Sequence, residues 1–155
     1  MIESESRVVA VQPNSRNVGP GEVRMSVDLR SAKQSTLDAM LDDLRRCIGA
    51  LQDECRVEVR LEEVVSIVPS HFAEDRAAHV RDAAESLGHS RLDIVSGTAH
   101  DAGDMSRIAP TAMVLVPCAA GISHNELEGV RPERLAAGCD VLLDAVLRRA
   151  EPSGA

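Results

Sequence analysis

Two side chains suited to gripping a carboxylate lie near the start of the chain. Asn17 stands in the loop Pro13-Asn14-Ser15-Arg16-Asn17-Val18-Gly19-Pro20-Gly21, and Arg30 closes the run Ser26-Val27-Asp28-Leu29-Arg30. A guanidinium fork matches a carboxylate in two hydrogen bonds, and an amide converging on the same ligand could complete the grip. The plainer role is that Asn17 caps a turn and Arg30 is a solvated strand-end charge. A second candidate is Ser96-Gly97-Thr98-Ala99-His100-Asp101-Ala102-Gly103-Asp104. Small residues there let backbone approach a ligand, the amides that open a helix favour anions, and His100 with Asp101 could form a hydrogen-bonding pair. Alternatively Ser96 or Thr98 is an N-cap and His100 an ordinary first-turn residue. The third is Gly121-Ile122-Ser123-His124-Asn125-Glu126-Leu127-Glu128. A neutral imidazole on such a loop is a reasonable metal ligand when its other ring nitrogen has an acceptor, although a surface histidine in a turn reads the same way. His71, His79 and His89 sit in helix-flank or surface contexts and read as structural.

The elements that carry these residues follow from periodicity. Arg7 to Gln12 reads as a strand, and Glu22 to Arg30 as a second one, with Val23, Met25, Val27 and Leu29 on a face expected to be buried. Leu37, Met40, Leu41, Leu44, Ile48 and Leu51 fall at helical spacing, with Ser35 or Thr36 available as cap. Val57, Val59, Leu61, Val65 and Ile67 share one parity, so Cys55 to Val68 reads as a long edge-type strand, interrupted at Glu62 and Glu63 and ended by Pro69. Strand, strand, helix, strand is an open-faced α/β sandwich lacking an element at its front. From His71 the texture changes: a helix Ala73 to Leu87 stopping at Gly88, strands Leu92 to Val95 and Ala112 to Val116, and a helix Pro132 to Arg149. Short apolar strands between helices are typical of a parallel sheet covered on both faces. The expectation is an α/β chain of two units, residues 1–70 and 71–150, meeting near Pro69 to Phe72, with a disordered tail from Glu151 to Ala155.

Composition narrows the partners. The 155 residues carry a net charge of -8, and Phe72 is the sole aromatic residue. Without stacking platforms or clustered Lys and Arg, nucleic-acid binding is excluded, leaving a small molecule or another protein chain. Cys47, Cys55, Cys118 and Cys139 are dispersed without a CxxC pair, and read as reduced, mostly buried thiols. No apolar run is long enough to cross a bilayer and the start does not read as a secretory leader, so no membrane partner and a cytoplasmic location are expected.

Taken in order, NVGPGEVRMSVDLR, SGTAHDAGDM and PTAMVLVPCAAGISHNELE resemble the C-terminal half of the metal-dependent N-carbamoyl-L-amino-acid hydrolase and allantoate amidohydrolase (ureidohydrolase) family, within the aminoacylase-carboxypeptidase superfamily. The resemblance runs from about Val8 to Ala150. It implies that residues up to about Ser70 are the later part of a lid that makes a homodimer, and that the rest is the last βα segment of a metallopeptidase-like catalytic domain. It further implies that Asn17 and Arg30 bind the substrate carboxylate and its polar neighbours, reaching into a partner subunit's active site. Thr98, Ala99 and His100 would line the substrate, and His124 would be the last metal ligand. The implied chemistry is hydrolysis of a carbamoyl or ureido C–N bond, with two divalent ions, zinc or manganese and also cobalt or nickel, activating a water. The family's remaining metal ligands and its general-base glutamate have no counterpart in this chain, so activity is expected to require a complementary N-terminal chain. Where the family pattern runs closer to Ser-Gly-Ala-Gly-His-Asp, this chain has Thr98 and Ala99, which adds a Cβ at a place of close backbone approach.

Overall fold

The computed structural model describes the backbone of residues 2–150 and the side chains of residues 9–150; the tail expected to be disordered lies outside the described residues. The architecture is α/β, and contacts divide the chain into two units. The first runs to Pro69 and also takes in Val95–Ala99; the second holds the remainder.

The first unit is built on a hairpin. β1 (Ile2–Gln12) and β2 (Glu22–Ser31) pair antiparallel, with Ile2 opposite Ser31, Gln12 opposite Glu22, and an irregularity between Ser6 and Val9. The Gly21 N–H donates to the Gln12 carbonyl at 2.8 Å, which closes the intervening loop. α1 (Gln34–Cys55) packs against β2. Its N-cap is Lys33, earlier than the Ser35 or Thr36 expected, and the Lys33 carbonyl accepts from the Thr36 and Leu37 N–H groups. Arg56, left-handed at φ 53°, ends the helix.

Two expectations fail here. Val23, Met25 and Val27 were expected to be buried and are exposed, because a two-stranded ribbon with one helix beside it has too few layers to cover a face. Cys55 to Val68 does not form a strand: Cys55 ends α1, and among the described residues nothing in 57–68 joins a ladder or makes a backbone–backbone hydrogen bond. The alternating apolar pattern is a property of the segment, whereas a strand also needs a neighbour to bond.

The second unit is helical where it is regular, with α2 (Glu74–Ser86), the short α3 (Asp101–Met105) and α4 (Pro132–Ala150). Glu74 and Asp75 occupy the first turn of α2, Glu133 that of α4, and Arg148 and Arg149 the last turn of α4, each complementing the helix dipole. Gly88, at φ 72°, lets the chain turn back so that the His89 N–H reaches the Ala84 carbonyl at 2.9 Å. α2 and α4 pack through Ala83, Ala84, Val141 and Ala145, with Val80 and Val114 against them. Arg148 joins the pair, donating from Nε to Asp144 at 2.5 Å and from Nη2 to the Ser86 hydroxyl at 2.8 Å.

Small residues set the approach in this unit. An ideal Cβ on Gly138 would stand 2.5 Å from Cγ1 of Val116, so α4 rests directly on the segment expected as strand Ala112 to Val116. Neither that segment nor Leu92 to Val95 is paired in a sheet among the described residues. The thiols correct another expectation: Cys47, Cys55 and Cys139 are exposed and Cys118 half-buried, because the core among the described residues is built around alanine and valine.

Candidate functional site

β2 positions the first candidate. Side chains two apart on a strand project from one face, which sets Asp28 beside Arg30. Arg30 donates from Nε at 3.1 Å and from Nη2 at 2.6 Å to a single oxygen, Oδ2, of Asp28. Its Nη1 donates to the Gly97 carbonyl at 2.8 Å. Both ionised side chains are roughly two-thirds covered, with relative exposures of 30% and 36%, so these charge-assisted bonds are less screened than surface pairs. The bond to Gly97 ties the loop Val95–Ala99 to β2 inside one unit. The first and second sequence candidates therefore meet at Arg30.

Asn17 lies before β2 in the same unit. It is exposed on the loop that precedes β2, where its backbone N–H donates to the Ser15 hydroxyl at 3.4 Å. Arg30 is at the far end of the same strand, and eight residue steps from Glu22 make a separation of roughly 26 Å at about 3.3 Å per residue.

In the middle loop the Thr98 N–H donates to the Ser96 hydroxyl at 3.2 Å, with Thr98 half-buried and Ala99 exposed. The N-cap of α3 is His100, not Ser96 or Thr98, and its carbonyl accepts from the Gly103 N–H at 2.8 Å. His100 is half-buried and opens the return of the chain into the second unit.

His124 lies on an exposed loop of the second unit with φ 54°, a left-handed conformation that is costly for a residue with a Cβ. Its backbone N–H donates to Oε2 of Glu128 at 2.7 Å. The Cys118 thiol lies 3.9 Å from Oε1 of the same carboxylate, and the Leu127 N–H donates to Oδ1 of Asn125 at 2.9 Å. Glu128 closes the third candidate motif, and its carboxylate bonds back to the loop it follows. Among the described residues no three His, Cys, Asp or Glu side chains gather as metal ligands. A protein zinc site takes three or four, so the residues present do not by themselves fit a dinuclear centre.

A further charged cluster surrounds Arg81 on α2. Arg81 donates to Glu74 at 2.7 Å and to Asp93 at 2.8 Å, and that hydrogen bond, followed by the charge of Arg81, holds the Glu74 carboxyl below the ordinary glutamate value. Of the histidines read as structural, His79 on α2 has a buried Nδ1 without a hydrogen-bond partner among the described residues.

With this geometry in hand, comparison with known proteins is informative. The profile of peptidase family M20/M25/M40 matches residues 3–148. An N-carbamoyl-L-amino-acid amidohydrolase of Rhizobium meliloti is 43% identical over 139 residues, 90% of this chain and 33% of that protein. An allantoate amidohydrolase of Bacillus subtilis is 30% identical over 142 residues, covering 92% of this chain and 34% of its own. Among solved structures, an amidase of the hydantoinase/carbamoylase family from Burkholderia multivorans superposes with a TM-score of 0.92 at 42% identity, over 97% of this chain and 37% of that one. The chain thus spans about a third of the length of the relatives it matches.

Proposed function

The chain belongs to peptidase family M20/M25/M40, and on that footing we propose that it is the carboxylate-binding part of a metal-dependent amidohydrolase cleaving the C–N bond of N-carbamoyl amino acids or ureido compounds. The relatives are named as such hydrolases, and the observation that carries the reading is Arg30, held by Asp28 and tied to the loop of Thr98 and Ala99. In this reading Asn17 and Arg30 bind the substrate carboxylate and its polar neighbours, reaching into the active site of a partner subunit in a homodimer, and Thr98, Ala99 and His100 contact the substrate. His124 contributes one ligand to a divalent-metal centre, zinc or manganese being the first to test. The metal, when bound, would supply activation of the attacking water.

A complementary N-terminal polypeptide is part of the proposal. The described residues bury only Ala83, Ala84, Val141 and Ala145, while Val64, Val65, Leu92 and Ile108 are each more than two-thirds exposed. Apolar surface of this kind marks a place where another chain packs. The unpaired stretch 57–68, with its period-two apolar residues, offers that chain a strand edge. A second reading, a carboxylate-binding or dimerisation module without catalysis, is favoured by the lack of a three-ligand cluster among the described residues.

Metal content measured after loading with zinc or manganese and exhaustive dialysis tests the requirement for a partner. The expected result is no firmly held ion on this chain alone, and uptake together with hydrolysis of an N-carbamoyl amino acid once the N-terminal two-thirds of a relative is added. Two retained ions per chain would overturn the need for a partner. Reconstitution with metal uptake but no hydrolysis would leave the binding module as the better reading.

A further inference from the structure

We infer that Asp28 is the positioning residue for Arg30, presetting its guanidinium for a ligand carboxylate. The inference rests on the carboxylate-binding reading above and adds a residue to it. A lone arginine on a strand end has several rotatable bonds and loses their freedom when it binds. Here one carboxylate oxygen of Asp28 accepts from Nε and Nη2 on one edge of the guanidinium, and the Gly97 carbonyl accepts from Nη1. Contacts from these two directions restrain both the plane and the rotation of the group. Because Asp28 and Arg30 are on the same face of β2, their relation is set by the strand and does not depend on a flexible loop. The bond to Gly97 carries the alignment to the backbone of the loop that holds Thr98.

A rival role for Asp28 makes the opposite forecast. If it were only a neighbouring anion, it would repel a ligand carboxylate, and its removal would tighten binding. If it positions Arg30, its removal weakens binding despite the more favourable net charge.

The test uses the full chain with nitrogen-15 labelled arginine. In the native chain, the Arg30 Nε–H resonance is expected apart from those of solvated arginines, exchanging slowly with water. Asp28→Ala should return it to the solvated position, and Asp28→Asn, which keeps an acceptor oxygen, should restore part of the shift. Amide shifts of the β1–β2 ladder report whether each variant keeps the hairpin, and Asp28→Asn carries the test if Asp28→Ala does not. An Arg30 signal unchanged in the folded variants would overturn the inference. The same samples are titrated with N-carbamoyl-L-alanine and with acetate. Binding of N-carbamoyl-L-alanine about tenfold weaker in Asp28→Ala, partly recovered in Asp28→Asn, is the expected result. Equal or tighter binding would overturn it. If the Arg30 signal depends on Asp28 but neither ligand binds the native chain, the positioning stands and the carboxylate-binding reading is what fails.

Discussion

Arg30 and His124 are held in opposite ways. Arg30 sits on a hydrogen-bonded strand, and its side chain is anchored by a carboxylate on the same face and a carbonyl from a distant loop. His124 sits on an exposed loop, in a left-handed backbone conformation, and it is the main-chain N–H that is anchored, by Glu128. In the first unit order comes from paired backbone; in the second it comes from two helices meeting through a few small side chains. A binding group whose supports all lie within the chain can be preorganised by that chain alone. An imidazole that belongs to no group of three potential ligands among the described residues is oriented by its loop, and a metal centre needs more than that.

The largest effect should come from the packing of the second unit. Gly138→Val places a branched side chain where even a Cβ meets Val116 at 2.5 Å, and a cost of about 3 kcal/mol is expected from urea unfolding. The matching change in the first unit, Val23→Ala on β2, alters a side chain 55% exposed and should cost no more than about 0.5 kcal/mol. Similar costs at the two positions would erase the contrast between a unit ordered by side-chain packing and one ordered by its ladder.

Next in size is the arginine itself. Arg30→Lys keeps the charge but loses the planar fork, so it cannot hold Asp28, the Gly97 carbonyl and a ligand in the same geometry. Calorimetric titration with N-carbamoyl-L-alanine should show affinity lower by about tenfold or more, in keeping with the loss of a charge-assisted bidentate contact. His124→Ala should leave that affinity unchanged. A fall on changing His124 would mean that the two groups act on one ligand even without a metal.

His124 invites a test of strain. Glycine takes a left-handed conformation without penalty, so His124→Gly should raise stability by about 1 kcal/mol while removing the imidazole. Glu128→Ala should lower it by about 1 kcal/mol, and the His124 amide should exchange faster, since a bond to a charged acceptor is lost. If His124→Gly is neutral or destabilising, the backbone there stores no cost and the left-handed turn is no sign of function.

These contrasts also explain what could be read from the residues. The α/β class, the loop between the first two strands and the helices around Leu37 to Leu51, Ala73 to Leu87 and Pro132 to Arg149 were legible, because each follows from local spacing and terminators such as Gly88. Three further segments, Cys55 to Val68, Leu92 to Val95 and Ala112 to Val116, carry strand patterns but have no ladder among the described residues, since pattern gives a segment its preference and not its partner. Asn17 and Arg30 pair by chemistry in the sequence, and the structure adds that Arg30 stands on β2 while Asn17 stands on the loop before it. Asp28 was visible as the polar neighbour of Arg30, but its hold on the guanidinium depends on rotamers that no spacing rule supplies. The partner of Glu128 is illegible for the same reason: its bond is to a backbone N–H in an unusual conformation.

The smallest effect is electrostatic and belongs to the second unit. Glu74 is held below its ordinary value by Arg81, first through their hydrogen bond and then through charge. A carboxyl lowered on folding contributes stability that is fully present above its unfolded value, near 4.5, and is lost as pH falls through the folded one. The difference in Tm between the native chain and Glu74→Gln should therefore be steady from about pH 7 to about pH 5 and close below that. Because Glu74 is exposed, the difference should be small and should shrink with added salt. A difference that widens on acidification would mean that Glu74 is protonated more readily in the folded chain, and that its pairing with Arg81 does not stabilise the start of α2.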